Sequence, residues 1–191
     1  MKFSPSRTFG RIGALTWALV GVPLLAGCAS MEPASRQADA APAATAAEAS
    51  LQAVRNGLFA SGQPAPSQWA SIRASGIPTV INLRPDEEMA GRDEASEVAN
   101  AGMAYHQLDV GGIQDITDVS AAQVQTWINE APGPVLLHCA SGNRAGALLA
   151  MVAARSGATL EETLALGRRA GMTSREEPVR ALLGHKTADT R

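Results

Sequence analysis

The stretch that decides the fold reads Pro134-Val135-Leu136-Leu137-His138-Cys139-Ala140-Ser141-Gly142-Asn143-Arg144. Its apolar start predicts a buried strand, the polar residues after it predict a short loop, and the arginine marks the start of a helix. Ligands of α/β sheets bind beyond the carboxyl ends of the strands. Because Cys139 lies at such an end, the stretch predicts an α/β fold with a functional site at this cysteine.

The residue types of this loop are those that a thiolate nucleophile needs when it attacks an anionic group. Backbone N–H groups in a tight loop point inward and bind an anion, and the N-terminus of the following helix adds a partial positive charge. Arg144 can bind two oxygens at once, which a lysine cannot do. The same positive field favours the reactive thiolate of Cys139. This interpretation requires a thiol that solvent can reach and an arginine turned toward it.

Strand and helix patterns alternate on both sides of the loop, which predicts an α/β sheet with helices on both faces. Ser67 and Ser120 are predicted to begin helices, and Thr159 with Glu162 forms a predicted capping box. The predicted strands cover residues 58–60, 78–83, 104–110 and 134–137, and four predicted helices cover 67–76, 93–100, 144–156 and 176–183. Two further helices are predicted to begin at Ser120, with Val124, Trp127 and Ile128 on one face, and at Thr159, with Leu160 and Leu164.

The N-terminus has the pattern of a secretory signal. Three basic residues and no acidic residue precede Cys28, and an apolar run covers residues 12–26. Leu25-Ala26-Gly27-Cys28 resembles the bacterial lipobox, which implies cleavage before Cys28, lipidation of that cysteine and a location at the periplasmic face of the outer membrane. We therefore expect a signal peptide over 1–27, an Ala-rich tether over 28–50, a folded domain over 51–185 and a polar tail over 186–191.

Charge and cysteine content narrow the function classes. Removal of residues 1–27 takes away three of the 16 basic residues and leaves 13 against 18 acidic, a net charge of −5. That balance argues against nucleic acid as a partner. If Cys28 carries lipid, Cys139 has no partner for a disulfide, so it is either a buried structural cysteine or a reactive one. The glycine and the arginine that follow favour the reactive cysteine.

Taken with its surroundings, the loop resembles the signature loop of the protein tyrosine phosphatase superfamily. Three upstream features narrow the resemblance to the beta-lactamase-hydrolase-like, dual-specificity-type branch: Ser61-Gly62-Gln63-Pro64, then Gly76-Ile77-Pro78-Thr79-Val80-Ile81-Asn82-Leu83-Arg84, then Glu87-Glu88. The similarity covers roughly residues 55–172. The cysteine loop and the Ser-Gly-Gln-Pro segment are specific together, whereas either one alone is weak.

The resemblance implies a cysteine-phosphatase-like fold with a mostly parallel sheet of four or five strands. Cys139 would be the nucleophile that forms a phosphocysteine, and Arg144 would bind the phosphoryl oxygens. His138 would hold the loop in place and help to ionise the thiol. No cofactor is implied, and the substrate would be an anionic small molecule or a phosphoprotein. The phosphate-binding residues would be His138, Ala140, Ser141, Gly142, Asn143 and Arg144.

The chain departs from the family pattern in three places. Four residues separate Cys139 from Arg144, where the family usually has five. Ala145 replaces the usual serine or threonine, whose hydroxyl would stabilise the leaving thiolate. The general acid is unclear, since Asp109 and Asp115 flank the expected position and neither matches it cleanly. General acid catalysis is worth a factor of about 100 to 10,000, so its loss would slow the cleavage of poor leaving groups most.

Three functions therefore stay open: a cysteine-dependent phosphatase, a rhodanese-like sulfurtransferase that carries a persulfide on a short loop, and a binding module that keeps only the anion site. Among the remaining polar residues, Arg84 is interpreted as structural, the acidic run Asp86-Glu87-Glu88 as solvated, and His106 as structural. No Walker-type glycine loop and no metal-ligand spacing is evident, and no surface pattern indicates an oligomer.

Overall fold

The computed structural model describes residues 50–189 of the 191-residue chain. The predicted signal peptide, Cys28 and nearly all of the predicted tether lie outside these residues. The strands are β1 (Gln52–Arg55), β2 (Leu58–Ser61), β3 (Thr79–Asn82), β4 (Ala104–Gln107) and β5 (Val135–His138), and the helices are α1 (Trp69–Ala74), α2 (Glu94–Asn100), α3 (Asp118–Glu130), α4 (Asn143–Arg155), α5 (Leu160–Arg169) and α6 (Glu176–Asp189).

The five strands form one sheet in the order β1-β2-β5-β3-β4. All neighbouring pairs are parallel except β1 and β2, which are antiparallel. The predicted mostly parallel α/β sheet is thus confirmed, with β5 at its centre. Strand β1 escaped the sequence analysis, although Asn56-Gly57 is a strong hairpin signal. Gly57 takes the left-handed conformation (φ +72°) that such a turn requires.

The sheet separates two hydrophobic clusters, as alternation along the strands requires. On one face, Val80 and Leu136 pack with the cluster that includes Trp69 of α1 and Val98 of α2. On the other face, Ile81, Leu137 and Cys139 join a larger cluster with residues of α3, α4, α5 and α6. The predicted helices on both faces are confirmed. Because both faces of β5 are covered, its four residues are all buried.

Helix ends follow local capping chemistry, with two corrections to the prediction. The Thr159–Glu162 capping box is present at α5, as predicted. Helix α3 begins after Thr117 rather than at Ser120, and the hydroxyls of the two residues form a capping box. Ser67 lies in a 3₁₀ turn before α1 and caps no α-helix. Helix α6 extends past the predicted end at 183 to Asp189. Within residues 50–189, no helix combines the length and apolarity needed to cross a bilayer.

Candidate active site

The cysteine loop connects the central strand to the most deeply buried helix. Strand β5 ends at His138, Cys139 follows, and α4 begins at Asn143. The residue before α4 is Gly142, whose φ of +89° is left-handed and therefore favours glycine. The sharp reversal between strand and helix thus depends on the glycine that made the loop recognisable in the sequence.

The Ser-Gly-Gln-Pro segment supports this loop from one side. Strand β2 pairs with β5 up to Ser61 and His138, and the next residue, Gly62, forms an antiparallel bridge with Ser141. The backbone N–H of Gln63 donates to the carbonyl of Ala140 at 3.2 Å. A Cβ atom on Gly62 would lie 3.1 Å from that same carbonyl oxygen. The segment is therefore a brace whose backbone must approach the loop closely.

The connection between α5 and α6 supports the loop from another side. The Cα of Gly142 lies 3.4 Å from the position of a Cβ on Gly171. The side-chain oxygen of Asn143 accepts from the Thr173 N–H at 2.9 Å, and its amide nitrogen donates to the Ser174 hydroxyl at 2.7 Å. The Asn143 side chain is thus engaged by this connection, which leaves only its backbone N–H for an anion.

The sulfur of Cys139 faces the donors that were predicted to surround an anion. The Gly142 N–H donates to Sγ at 3.2 Å, and the Arg144 guanidinium, whose pKa is raised mainly by Glu88, also interacts electrostatically with Cys139. The requirement that solvent reach the thiol is not met in this conformation, because Cys139 is 0% exposed. Ala140 and Ser141 are exposed, so the loop itself lies at the surface with the sulfur directly beneath it. The short loop therefore covers the sulfur in this conformation.

Arg144 is turned inward, as predicted, and its free donors suit an oxyanion. Its Nη1 donates to Glu88 Oε1 at 2.8 Å and to the Val110 carbonyl at 2.7 Å, and its Nη2 donates to Glu88 Oε2 at 2.6 Å. A guanidinium has five N–H donors. The two that stay available, on Nε and Nη2, lie on one edge of the guanidinium. That edge can bind two oxygens of a tetrahedral anion side by side.

Glu88 is a site residue that the sequence analysis missed, and its interpretation as a solvated residue was wrong. Its carboxylate forms the paired contacts with Arg144 and also lies 3.4 Å from Nε of Arg84. Hydrogen bonding from Arg144 is the main cause that lowers the pKa of Glu88, and burial opposes it. The same pair raises the pKa of Arg144. Two signals were available: Glu87-Glu88 is among the features that carry the family resemblance, and the i, i+4 spacing between Arg84 and Glu88 fits an ion pair, although equally one at the surface.

His138 lies against a second missed residue, Glu94. Their closest atoms, His138 Nε2 and Glu94 Oε1, are 2.8 Å apart, and both side chains are almost completely buried. The ring N–H is not aligned with the oxygen, so the contact is electrostatic rather than a well-formed hydrogen bond. The other carboxylate oxygen of Glu94 accepts from the Gln63 side-chain amide. The ring of Trp69 lies 6.1 Å from the imidazole and closes the apolar side.

The two candidate acids line one open cleft beside Val110, whose carbonyl Arg144 binds. Asp115 is held in place, since its Oδ2 accepts from the N–H groups of Gly111 at 3.0 Å and Gly112 at 2.9 Å. Asp109 is exposed, and its contact is a weak one of 3.5 Å from Gln107. Asp115 is therefore held in one position and Asp109 is not, and because two N–H groups occupy Oδ2 of Asp115, only its Oδ1 could carry the proton of a general acid.

His106 is part of the core packing and not of the site. Its ring stacks on Trp127 with the centroids 4.7 Å apart and the planes inclined by 18°.

Across the part of the chain that the structure describes, no group of three or more His, Cys, Asp or Glu side chains is arranged to hold a metal ion. The candidate site is therefore the thiol, the loop amides, the guanidinium and the acidic cleft beside them.

Among solved structures, the fold is similar to those of several cysteine phosphatases. A candidate phosphatase from Neisseria meningitidis Z2491 is 26% identical, with a TM-score of 0.58 over 66% of this chain and 93% of that one. Tk-PTP in its active form is 21% identical, with a TM-score of 0.55 over 70% of this chain and 95% of that one. The latter likeness concerns the fold alone.

Sequence comparison agrees with the fold. The chain is 38% identical over 92 residues to a beta-lactamase hydrolase-like protein of Agrobacterium fabrum. The aligned residues are 46% of this chain and 21% of that protein. A relative of the same description from Xylella fastidiosa is 38% identical over 98 residues, 49% of this chain and 22% of its own length. The chain thus spans about a fifth of the curated relatives it matches. The family profile of the beta-lactamase hydrolase-like protein, phosphatase-like domain, matches residues 50–159. This match covers more than half of the chain, which therefore belongs to that family of phosphatase-like domains.

Proposed function

We propose that the chain is a cysteine-dependent phosphatase of the protein tyrosine phosphatase type that hydrolyses phosphate monoesters. The Cys139 thiolate attacks phosphorus, so that an S–P bond forms as the bond to the leaving oxygen breaks. The leaving oxygen takes a proton from Asp115, or from Asp109 as the other candidate. Water then attacks the phosphocysteine, and inorganic phosphate and the thiolate are released.

The observation that carries this proposal is the free edge of Arg144. Glu88 and the Val110 carbonyl occupy three of its donors and leave two for an anion, while the sulfur that would attack that anion accepts from the Gly142 N–H. The charge that develops on the phosphoryl oxygens would find donors held in place before the reaction, which is the most effective form of transition-state stabilisation. A cysteine with a purely structural role needs neither the guanidinium nor its carboxylate partner.

The test is hydrolysis of an aryl phosphate by the full-length chain. We expect turnover that orthovanadate inhibits, and Cys139→Ser should lower kcat/KM by at least about a thousandfold, because the nucleophile is lost. A Cys28→Ser variant is the matched control and should keep the activity. Undiminished turnover in Cys139→Ser would contradict the proposal.

The short loop favours a second candidate, a rhodanese-like sulfurtransferase. Here the thiolate takes the outer sulfur of thiosulfate and releases sulfite, and no proton donor is required. The thiol that the loop closes upon would accommodate one sulfur atom more readily than a tetrahedral phosphate. Mass spectrometry after thiosulfate treatment distinguishes the two, since only this function adds one sulfur at Cys139. A chain that does neither reaction but binds phosphate through Arg144 would be a binding module.

We also propose that the chain is a lipoprotein of the periplasmic face of the outer membrane, anchored through Cys28. The support is the lipobox-like sequence before Cys28 and the basic, then apolar, residues that precede it. Metabolic labelling with a radioactive fatty acid should mark the full-length protein and not Cys28→Ser. Cell fractionation then shows which membrane holds the labelled protein, and labelled protein in the inner membrane alone would contradict the proposed location.

A further inference from the structure

A cavity separate from the cysteine loop lies where the end of α4 and the start of α5 meet the middle of α6. Its volume is about 250 Å³, and the apolar residues in its wall are Ala154, Ala158, Leu160 and Leu183. Ala154 comes ten residues after Arg144 in α4, which places the two about 15 Å apart along the helix axis. The cavity is therefore distinct from the candidate active site at the other end of α4.

The wall of this cavity carries little charge. Among the described residues that line it, Arg155 alone is charged, and its Nη1 lies 3.8 Å from Asp118 of α3. Leu160 is 43% exposed, so apolar surface remains uncovered beside the cavity. A partly enclosed apolar space of this kind suits small uncharged molecules, and the few polar groups in its wall orient them.

Thr163 gives the cavity wall one polar atom that lacks a partner. Its side chain is 0% exposed, and its hydroxyl forms no hydrogen bond with the part of the chain that the structure describes. The carbonyl of Thr159, one turn earlier, accepts from the Thr163 N–H at 2.9 Å and not from the hydroxyl. An unpaired buried hydroxyl destabilises a fold, so most such groups have a partner. A threonine in a helix has two accessible rotamers, and the hydroxyl can therefore turn toward a bound molecule without movement of the backbone.

We propose that this cavity binds a phenol, a small uncharged aromatic alcohol. Its ring lies against Ala158, Leu160 and Leu183, and its hydroxyl forms a hydrogen bond with Thr163, in which either group can donate. An apolar cavity of about 150 Å³ holds benzene, so the larger volume here admits one ring with a substituent. A rigid ring also loses less conformational freedom on binding than a flexible chain does. This inference does not depend on the proposed phosphatase activity.

The test compares two ligands that differ in one group. Full-length protein is titrated by fluorine NMR with 4-fluorophenol and with 4-fluorotoluene, in which a methyl group replaces the hydroxyl. Thr163→Val keeps the shape of the side chain and removes its hydroxyl. We expect this variant to raise the Kd of 4-fluorophenol about fivefold and not to raise that of 4-fluorotoluene, because only the phenol loses a hydrogen bond.

Thr79→Val is the matched control for this substitution. The Thr79 hydroxyl is also buried without a partner among the described residues, but it belongs to β3 and not to the cavity wall. It should leave both Kd values unchanged. Gly184→Leu tests the location, because a Cβ at position 184 meets no atom within 4 Å and the added side chain has room to extend into the cavity. It should abolish the binding of both ligands.

Saturable binding of 4-fluorophenol that Gly184→Leu abolishes and Thr163→Val weakens selectively would support the inference. Absence of saturable binding to the unchanged protein would overturn it. Binding that persists in Gly184→Leu would place the ligand elsewhere and would equally overturn it. So would equal Kd changes for the two ligands in Thr163→Val, since the hydroxyl would then have no part in recognition.

Discussion

The cysteine loop and the acidic cleft beside it are organised very differently. Three separate segments support the loop: residues 61–63, the Glu88 carboxylate, and residues 171–174. In the cleft, Asp115 is held by backbone N–H groups, while Asp109 has little contact with its neighbours. The proposed nucleophile and anion-binding groups are thus held by several contacts, and the two candidate proton donors lie in a less constrained region. This difference indicates that more contacts fix the anion-binding groups than fix the candidate proton donors.

Among the variants that test this difference, Arg144→Lys should have the largest effect. Lysine is a point charge, so the paired contacts with Glu88 and the free guanidinium edge are both lost. We expect kcat/KM for an aryl phosphate to fall by about 100- to 1,000-fold. Arg155→Lys is the matched control, because Arg155 lies in the same helix and makes only a loose 3.8 Å contact with Asp118. A loss of less than tenfold in Arg144→Lys would show that the fixed loop matters less than its geometry implies.

The next largest effect should follow from Asp115→Asn, which changes the acidic cleft. Asp115→Asn keeps an oxygen that can accept from Gly111 and Gly112 but cannot donate an acidic proton. We expect about a 100-fold loss of kcat/KM on an alkyl phosphate and a smaller loss on p-nitrophenyl phosphate, whose leaving group needs no proton. Asp109→Asn should change either rate by less than about threefold. A large loss in Asp109→Asn instead would exchange the two roles, and no loss in either variant would favour the sulfurtransferase.

Glu88→Gln should have an intermediate effect, about tenfold on kcat/KM, because Arg144 keeps one acceptor in place of two. The folded pKa of Glu88 is lowered, so its carboxylate stabilises the fold at pH values above 4.5, and this contribution is lost as the pH falls through the folded pKa. We expect the variant to lose up to about 1 kcal/mol of unfolding free energy at neutral pH, since water screens a carboxylate that is 32% exposed.

Urea denaturation at pH 7 and at pH 3 measures this difference. The difference between the two proteins should shrink as the pH falls below 4.5 toward the lowered pKa of folded Glu88. Glu87→Gln, in which the neighbouring carboxylate is changed, is the control for a general charge effect. A stability difference that persists undiminished at pH 3 would mean that packing, and not the ion pair, is what Glu88 contributes.

The smallest effect concerns the helix that follows the loop. Ala145→Ser introduces the hydroxyl that the family usually carries after the arginine. We expect about a threefold increase in the rate of phosphocysteine hydrolysis, observed as a smaller burst before steady-state turnover. Ala147→Ser, at another fully buried alanine of α4, is the control for the cost of burying a hydroxyl. A slower variant would indicate that the short loop leaves the added hydroxyl no useful position.

The strands, the helices and the anion-binding loop could be predicted from local sequence patterns without a structure. The apolar run before Cys139 predicted the central strand, and the alternation of strands and helices predicted a parallel sheet covered on both faces. The loop glycine and the arginine after the cysteine predicted an anion site, since few other roles require a left-handed turn and a guanidinium at that spacing. Residues whose effect is local, such as Gly142 and the Thr159 cap, were predictable because backbone geometry alone constrains them.

The sequence by itself therefore determined the fold class and placed Cys139 and Arg144, the proposed nucleophile and anion-binding residue, in one loop. Only the tertiary structure decided that Glu88 contacts Arg144, that Glu94 contacts His138, and that the thiol is covered. These residues are distant in the chain, and each one alone resembles a solvated surface residue. Charge pairing between distant segments depends on which strands become neighbours, and no local pattern carries that information.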